Sequence, residues 1–268
     1  MSSDSLGDRM KEQYERRSVR IRTGRMPLIV RVDGKAFHSY CRGCARPFDF
    51  KLIDVMNSVA VSLCEQMQGA QIAFVQSDEI SVLLHNYKRH ASTAWFDNKQ
   101  SKIESVTASI AAANMTMLSE RLFGSVRPAY FDARSFVMPE SEVNNYFVNR
   151  QQDWTRNSIA MLAQSMFSAR ELHGKSCAVM QEMTFQKSGK NWNDLPTFIK
   201  RGRCVVRQTY QVDGKPDRTR WVVDPEPPIF SADPSYIEQH LAVEPEAPKP
   251  LPRFCDRETA QRVHIIDR

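Results

Sequence analysis

The spacing of hydrophobic residues in the first half of the chain predicts two kinds of element in a regular order. Short, β-rich apolar runs predict strands at 27–33, 71–76, 79–85 and 129–138. Apolar residues three and four positions apart predict helices at 50–68 and 100–122. The order strand, helix, strand, strand, helix, strand is the βαββαβ unit of ferredoxin-like folds.

The second half of the chain has a weaker pattern, which predicts helices followed by one hairpin. The predicted helices cover 139–168, with a break near 149–153, and 177–186. Two β-rich runs within 203–224 flank the sequence VDGKPD and predict the hairpin. Prolines are dense from Pro225 onward, so we expect this last part to be mostly irregular.

Three acidic residues fall at strand ends that the predicted topology brings together. In the split form of the unit, the third strand lies between the first two and runs antiparallel to both. The end of the first strand, Asp33-Gly34, then lies beside Asp78 and Glu79 at the start of the third. Neighbouring carboxylates repel each other unless a cation neutralises them. The alternative is that Asp33 and Asp78 are ordinary turn residues.

The chemistry of these acids favours magnesium. Mg²⁺ binds a few protein carboxylates and completes its coordination with water and phosphates. Two such ions can stabilise both the attacking and the leaving oxygen of a phosphoryl transfer. The residues alone therefore predict a metal and phosphate site, without specifying the substrate.

Composition and charge narrow the class of protein and of partner. The 268 residues carry a net charge of +6, which favours a polyanionic partner. Five arginines lie between 16 and 25; they either contact phosphates or form a solvated helix end and loop. The chain has no apolar run of eighteen residues and no apolar segment at its N-terminus, so we expect a cytoplasmic protein without a membrane span.

The cysteines include one pair with CxxC spacing, Cys41-Arg-Gly-Cys44, and His38 is nearby in the sequence. A structural zinc site would need a second such pair, and the other cysteines stand alone. We therefore interpret Cys41 and Cys44 as free thiols in a loop.

Five motifs in order resemble the tRNA(His) guanylyltransferase family, and most closely its guanylyltransferase-like branch. The motifs are RVDGKAFH (31–38), RPFD (46–49), QSDE (76–79), FDAR (131–134) and RQQD (150–153). Members of this branch are 3'-to-5' RNA polymerases that extend the 5' ends of tRNAs. The resemblance implies a polymerase-type palm.

The resemblance and the element order together predict an α+β fold. The palm would have a ferredoxin-like βαββαβ core and a mixed, mainly antiparallel sheet packed by helices. Residues 1–138 would form the palm catalytic core. Residues 139–224 would form a helical extension and a hairpin that complete the same domain, and 225–268 the proline-rich tail.

The resemblance also assigns roles to residues. Asp33, the carbonyl of Gly34 and Asp78 would hold two magnesium ions, and Glu79 matches the family's acid beside the metals. The residues expected to contact the nucleotide, besides the metal site, are Lys35, Ala36, Phe37, His38, Arg46, Ser77, Lys99, Lys102 and Asn157. As alternatives, Phe37 and His38 could be core and turn residues, and the two lysines could be solvated helix surface.

One departure from the family pattern bears on the activity. Eukaryotic members that add the extra guanosine to tRNA(His) carry His-Ile-Asn-Asn after the RQxD motif, where this chain has Thr155-Arg156-Asn157-Ser158. This favours template-dependent repair of truncated tRNA 5' ends over guanosine addition. The implied partners are tRNA, nucleoside triphosphates (ATP or GTP activating the 5' end) and further copies of the chain in a homotetramer built from dimers. The rival functions are a palm-type nucleotide cyclase and a non-catalytic tRNA-binding module.

Overall fold

The computed structural model describes residues 5–89, 91–212 and 215–242. Its centre is a six-stranded sheet in the order β4-β1-β3-β2-β5-β6, and every pair of neighbours runs antiparallel. The strands are β1 (Leu28–Gly34), β2 (Ala70–Gln76), β3 (Glu79–Leu84), β4 (Phe131–Val137), β5 (Arg203–Val212) and β6 (Lys215–Asp224).

The predicted βαββαβ topology is confirmed. β3 lies between β1 and β2 and pairs antiparallel with both, so β1 and β2 run in the same direction without touching. In this register Asp33 is directly opposite Glu79. The end of β1 and the β2–β3 turn therefore share one end of the sheet, as the sequence predicted.

Helices cover both faces of the sheet. Their bounds are α1 (Leu6–Met10), α2 (Phe37–Tyr40), α3 (Phe50–Gln66), α4 (Gln100–Leu118), α5 (Glu120–Phe123), α6 (Glu140–Gln164), α7 (Ala169–Leu172), α8 (Cys177–Ser188), α9 (Thr197–Lys200) and α10 (Ser235–Glu238). The alternation of side chains along each strand divides the core in two. One core packs α3 and α4 on residues such as Val32 and Val82, and the other packs α6 on Ile29 and Phe74.

Two details of the helices differ from the sequence-based expectation. α6 is continuous from Glu140 to Gln164, without the break near 149–153. The polar side chains there do not interrupt the helix, because the Gln151 amide is bonded to the C-terminal segment and Trp154 donates to the Ile199 carbonyl. The helix predicted at 100–122 divides at Ser119, whose hydroxyl accepts a hydrogen bond from the Arg127 amide.

The start of the proline-rich segment belongs to the core. Phe230 and Ile237 are fully buried against α6, and the Phe230 amide donates to the Gln151 side chain at 3.0 Å. The rest of that segment, 243–268, lies outside the described residues. None of the described helices combines the length and the apolar composition that a membrane crossing needs.

Candidate active site

A cleft of about 650 Å³ opens where the β2–β3 turn meets the α2 loop and the second half of α6. Six of the residues predicted to bind nucleotide or metal line it: Phe37, His38, Arg46, Ser77, Asp78 and Asn157. The first three come from the β1–α3 connection, the next two from the β2–β3 turn and the last from α6. The fold thus brings together residues from motifs far apart in the sequence.

The β2–β3 turn presents Ser77 and Asp78 to this cleft in a constrained backbone. Gln76 and Glu79 are paired across the hairpin, which leaves a two-residue turn. Ser77 occupies its first position with a φ of 45°, where glycine is usual. A side chain held in this left-handed conformation costs conformational energy, and such residues concentrate at functional sites.

The loop after β1 is shaped by contacts that require glycine at Gly34. A Cβ built on Gly34 would lie only 2.2 Å from the Phe37 ring, so any other residue would displace that ring. Phe37 itself is 5% exposed and packs on Tyr40 and Phe131. It is therefore a core residue that also forms part of the cleft wall, whereas His38 is exposed at the cleft.

Asp78 carries an electrostatic cost that no neighbouring cation relieves. Burial raises the pKa of its carboxyl group, and the negative charges of Asp33 and Glu79 raise it further, against lowering by hydrogen bonds from Ser77 and its own amide. Among the described residues, neither Asp33 nor Asp78 takes part in an ion pair. A bound cation would remove this cost.

Glu79, the adjacent acid, is in the opposite situation. Its carboxylate lies 3.3 Å from the Arg150 guanidinium of α6 and 3.9 Å from Arg31 of β1, and it accepts a 2.7 Å hydrogen bond from Gln76. Arg150 also lies 3.6 Å from Asp153. Glu79 is thus neutralised by protein cations and joins the QSDE turn to the RQQD motif.

The donor set fits magnesium better than a transition metal. No group of three or more His, Cys, Asp or Glu side chains is arranged to hold a metal in 5–89, 91–212 or 215–242. Asp33, Asp78 and the carbonyl of Gly34 are hard oxygen donors at one end of the sheet, the type of donor that Mg²⁺ prefers. Cys41 and Cys44 are not joined in a disulfide, and their interpretation as thiols that hold no metal stays a prediction.

The predicted basic residues lie at different ends of the molecule. Arg46 lines the cleft. Lys99 and Lys102 begin α4, next to Asn98, which lies against Leu28 and Leu84 at the other end of the sheet. Leu28 and Asp33 are five strand residues apart, or roughly 17 Å. Within this chain the two lysines are therefore remote from the cleft.

Lys35, in the first motif, contacts Tyr130, the residue that precedes the edge strand β4. Its amide continues the β1–β4 pairing by donating to the Tyr130 carbonyl at 2.8 Å, and its ammonium lies 6.0 Å from the Tyr130 ring. Ala36 adopts the left-handed conformation that precedes α2, with a φ of 56°. Neither residue lines the cleft.

The stretch that replaces His-Ile-Asn-Asn presents one polar side chain to the cleft. Asn157 faces it, whereas the Thr155 hydroxyl donates to the Lys200 carbonyl at 3.3 Å. The Ser158 hydroxyl accepts a 3.0 Å hydrogen bond from the Trp192 indole. Thr155 and Ser158 thus tie α6 to its neighbours.

Sequence reasoning missed the two arginines that neutralise Glu79. Arg31 lies within the first motif, and strand alternation places it on the same sheet face as Asp33. Arg150 opens the RQQD motif, but the fold alone sets the distance between α6 and the sheet. The position of Cys41 and Cys44 in the cleft wall was likewise not foreseen.

Comparisons with known proteins point to one family. The family model described as "tRNAHis guanylyltransferase" matches residues 7–139. A tRNA(His) guanylyltransferase of Debaryomyces hansenii is 30% identical over 199 residues, which cover 68% of this chain and 73% of the relative. The Saccharomyces cerevisiae enzyme is 27% identical over 201 residues, or 68% of this chain and 82% of the relative.

Solved structures agree. A bacterial tRNA(His) guanylyltransferase-like protein in complex with ATP is 41% identical, with a TM-score of 0.83, and the match covers 90% of this chain and 100% of that one. A bacterial guanylyltransferase-like protein in complex with GTP is 40% identical, with a TM-score of 0.76 and coverage of 89% and 99%.

Proposed function

We propose a specific reaction for this chain, which belongs to the tRNA(His) guanylyltransferase family. It is a nucleotidyltransferase that adds nucleotides to tRNA. We propose that it works in the 3'-to-5' direction and repairs truncated 5' ends by copying the opposite strand of the acceptor stem. One observation carries this: the cleft gathers Asp78, Arg46 and Asn157 at the sheet end where Asp33 terminates β1.

Different residues of the cleft would contact different parts of a nucleoside triphosphate. Arg46 supplies positive charge for the phosphates, and Ser77 supplies a hydroxyl group beside Asp78. His38 and Asn157 both line the cleft and would offer polar contacts to the base or sugar. The solved complexes of similar proteins with ATP and with GTP support a nucleotide-binding function.

The carboxylates of Asp33 and Asp78 and the carbonyl of Gly34 would hold magnesium. When bound, two such ions lower the pKa of an attacking hydroxyl group and stabilise leaving phosphates. Asp78 is positioned for this by the strained turn at Ser77. Glu79 holds that turn in place through Arg31 and Arg150, so we assign Glu79 a positioning role.

In the proposed reaction the 3'-hydroxyl of the incoming nucleotide attacks the activated 5' phosphate of the tRNA. A 5'-monophosphate would first be activated: it attacks the α-phosphate of ATP or GTP, pyrophosphate leaves, and the 5' end carries AMP or GMP. The 3'-hydroxyl of the incoming nucleotide then displaces this AMP or GMP, and the hydroxyl proton passes to water. The 5' phosphate and the triphosphate meet at the positive side chain of Arg46, which offsets their charge as they approach. The nucleotide itself is selected by base pairing.

The absence of a histidine at position 155 supports repair over untemplated guanosine addition. Thr155 is bonded to the Lys200 carbonyl and does not line the cleft. Within the stretch 155–158, Asn157 is therefore the one residue that lines the cleft. Thr155→His tests this argument: an unchanged choice of tRNA would mean that the missing histidine does not set specificity.

The outer part of the β5–β6 hairpin is a candidate tRNA contact. Beyond Val206 its strands pair only with each other, so they project from the sheet. Arg207 lies 4.8 Å from the Trp221 ring, and Arg220 lies 5.3 Å from the Tyr210 ring. Exposed arginines beside aromatic rings suit contacts with RNA phosphates and unstacked bases.

We further propose that the chain works in the cytoplasm as a homotetramer built from dimers. Assembly would let a neighbouring copy bring Lys99 and Lys102 toward a cleft that they do not reach within their own chain. Mixing the Asp78→Asn chain with a Lys102→Ala chain tests this, because restored activity requires residues from two copies.

The decisive experiment supplies a 5'-truncated, 5'-monophosphorylated tRNA with ATP, Mg²⁺ and labelled nucleotides. We expect stepwise growth at the 5' end that follows the sequence of the opposite strand. Guanosine addition regardless of the opposite base would support tRNA(His) maturation instead. Turnover of nucleotide without RNA would indicate a cyclase, and tRNA binding without incorporation would indicate a binding module.

A further inference from the structure

Two thiols share one tight turn in the wall of the cleft. Cys41 ends α2, and the Cys44 amide donates a 3.0 Å hydrogen bond to the Cys41 carbonyl. A turn closed in this way holds its end residues within about 7 Å, which overlaps the Cα separation of about 4.4–6.8 Å that a disulfide requires. Burial raises the pKa of both thiols, that of Cys41 to about 12, so thiol–disulfide exchange at this pair runs through a small thiolate fraction and is slow.

The pair differs from the other cysteines that the structure describes. Cys64 and Cys204 are buried in the core, where small oxidants do not reach them, and Cys177 begins α8 on a separate segment. Cys41 and Cys44 are both half-buried and both line the cleft. Gly43 leaves open space at the tip of the turn, so closure meets no steric obstacle there.

We propose that Cys41 and Cys44 form a redox site that closes into a reversible intramolecular disulfide and thereby lowers nucleotide binding in the cleft. The co-reactant is a low-molecular-weight disulfide. The loss of nucleotide binding rests on the proposed function of the cleft, whereas formation of the disulfide does not.

The intramolecular disulfide forms by two steps of thiol–disulfide exchange. The Cys44 thiolate attacks one sulfur of the small disulfide; that S–S bond breaks, and one small thiolate leaves and takes up a proton. The Cys41 thiolate then attacks the Cys44 sulfur of the mixed disulfide and releases the second small thiol. The protein dithiol loses two electrons and two protons, and the small disulfide gains both.

Closure changes the cleft because the turn lies between two nucleotide-contacting segments. Phe37 and His38 precede it, and Arg46 follows it. To form the disulfide the two sulfur atoms must come within about 2 Å of each other, so the turn must tighten. The Ala45 amide is held by Asp49 at 2.7 Å, and Asp49 caps α3, so the displacement falls on the cleft side of the turn. A shift of about 1 Å in a binding group can cost about 100-fold in activity.

The test exposes the full reduced chain to graded ratios of glutathione disulfide to glutathione. Remaining thiols are alkylated and mapped by mass spectrometry, and ATP binding is measured on the same samples. We expect a Cys41–Cys44 link, a roughly 10- to 100-fold weaker affinity for ATP and full recovery with dithiothreitol. We also expect bound ATP to slow alkylation of both thiols in the unsubstituted protein, a measurement that needs no variant.

The control variants separate this site from general oxidation. Cys177→Ser should respond to oxidant like the unsubstituted chain, whereas Cys41→Ser and Cys44→Ser should each show the same ATP affinity before and after oxidation, whatever that affinity is in the reduced variant. If Cys41 and Cys44 stay reduced while Cys177 forms a mixed disulfide, the proposal is wrong. A mapped disulfide with unchanged ATP affinity would equally overturn the link to nucleotide binding. Reduced protein that binds no ATP would instead contradict the proposed function of the cleft.

Discussion

The two ends of the central sheet are formed by the same strands, but one end is closed and the other opens into a cleft lined by polar side chains. At the end formed by Leu28 and Leu84, the chain closes over the strands and leaves a void of only about 10 Å³. At the end formed by Asp33 and Asp78, a cleft of about 650 Å³ remains, with a strained serine and an unneutralised carboxylate beside it.

This difference distinguishes polar side chains that stabilise the fold from polar side chains that are available to a ligand. The acidic residue near the closed end, Glu104, accepts hydrogen bonds from the amide and hydroxyl of Ser135 and lies 3.7 Å from Arg22. The acids at the open end include two, Asp33 and Asp78, that form no ion pair with any described residue. Carboxylates without a cation partner beside an open cleft mark this end of the sheet as the place where a ligand would bind.

The largest expected effect is on activity at the open end. Asp33→Asn should lower nucleotide addition by about 10³-fold or more, because it removes a charged ligand of the proposed metal site. Asp97→Asn, at the closed end with its side chain 78% exposed, is the matched control and should change activity less than about twofold. Single-turnover addition to truncated tRNA measures both; near-normal activity of the Asp33 variant would end the metal assignment.

The sequence predicted the part of this site that depends on topology. Once the order βαββαβ was read from the apolar spacing, the meeting of Asp33 with Asp78 and Glu79 followed, because strand order fixes which ends are neighbours. The distinct state of Glu79 did not follow. It depends on how close α6 packs to the sheet, which is a distance set by many side chains together rather than by periodicity.

The same reasoning explains the placement of the lysines. The family resemblance predicts that Lys99 and Lys102 contact the nucleotide. A resemblance in sequence carries no information about the end of the sheet at which α4 begins. The first part of the proline-rich segment also escaped prediction. Its isolated apolar residues, Phe230 and Ile237, have no helical or strand spacing, yet both are fully buried.

Next in size is the effect of removing the cation that joins Glu79 to α6. Arg150→Met should lower the free energy of unfolding by about 2 kcal/mol, since Glu79 is 14% exposed and loses a charged hydrogen bond. Arg156→Met removes a similar ion pair to Asp153, but Arg156 is 56% exposed, so about 0.5 kcal/mol or less is expected. Urea unfolding measures both variants. Equal losses would show that the buried pair has no special structural role.

A smaller effect should distinguish the basic residues at the two ends. Arg46→Ala should weaken ATP binding about tenfold, because it removes positive charge from the cleft. Lys102→Ala, at the closed end, should change ATP affinity less than about twofold and weaken tRNA binding in a salt-dependent manner. Equilibrium binding of ATP without RNA, then of tRNA at several salt concentrations, measures both. A tenfold loss of ATP affinity in the lysine variant would contradict this expectation and would mean that the lysines of a neighbouring copy contact the nucleotide rather than the tRNA.

The smallest effect concerns stability, and its sign is opposite to that on activity. Because burial raises the pKa of the Asp78 carboxyl group above its ordinary value of 3.8, the folded state disfavours the charged form. Without metal, Asp78→Asn should therefore raise the free energy of unfolding by about 1 kcal/mol at neutral pH.

This gain should be constant above the raised pKa of the folded state and shrink as the pH falls through it. It should vanish below the unfolded value, where Asp78 is protonated in both states. Urea unfolding with a chelator present, from pH 7.5 down to about 4, follows the change. Adding Mg²⁺ should stabilise the unsubstituted chain and leave Asp78→Asn unaffected, because only the carboxylate attracts the cation. A variant that is less stable at neutral pH without metal would mean that the charge of Asp78 is satisfied by the protein itself, and the open end would then lose its distinction from the closed one.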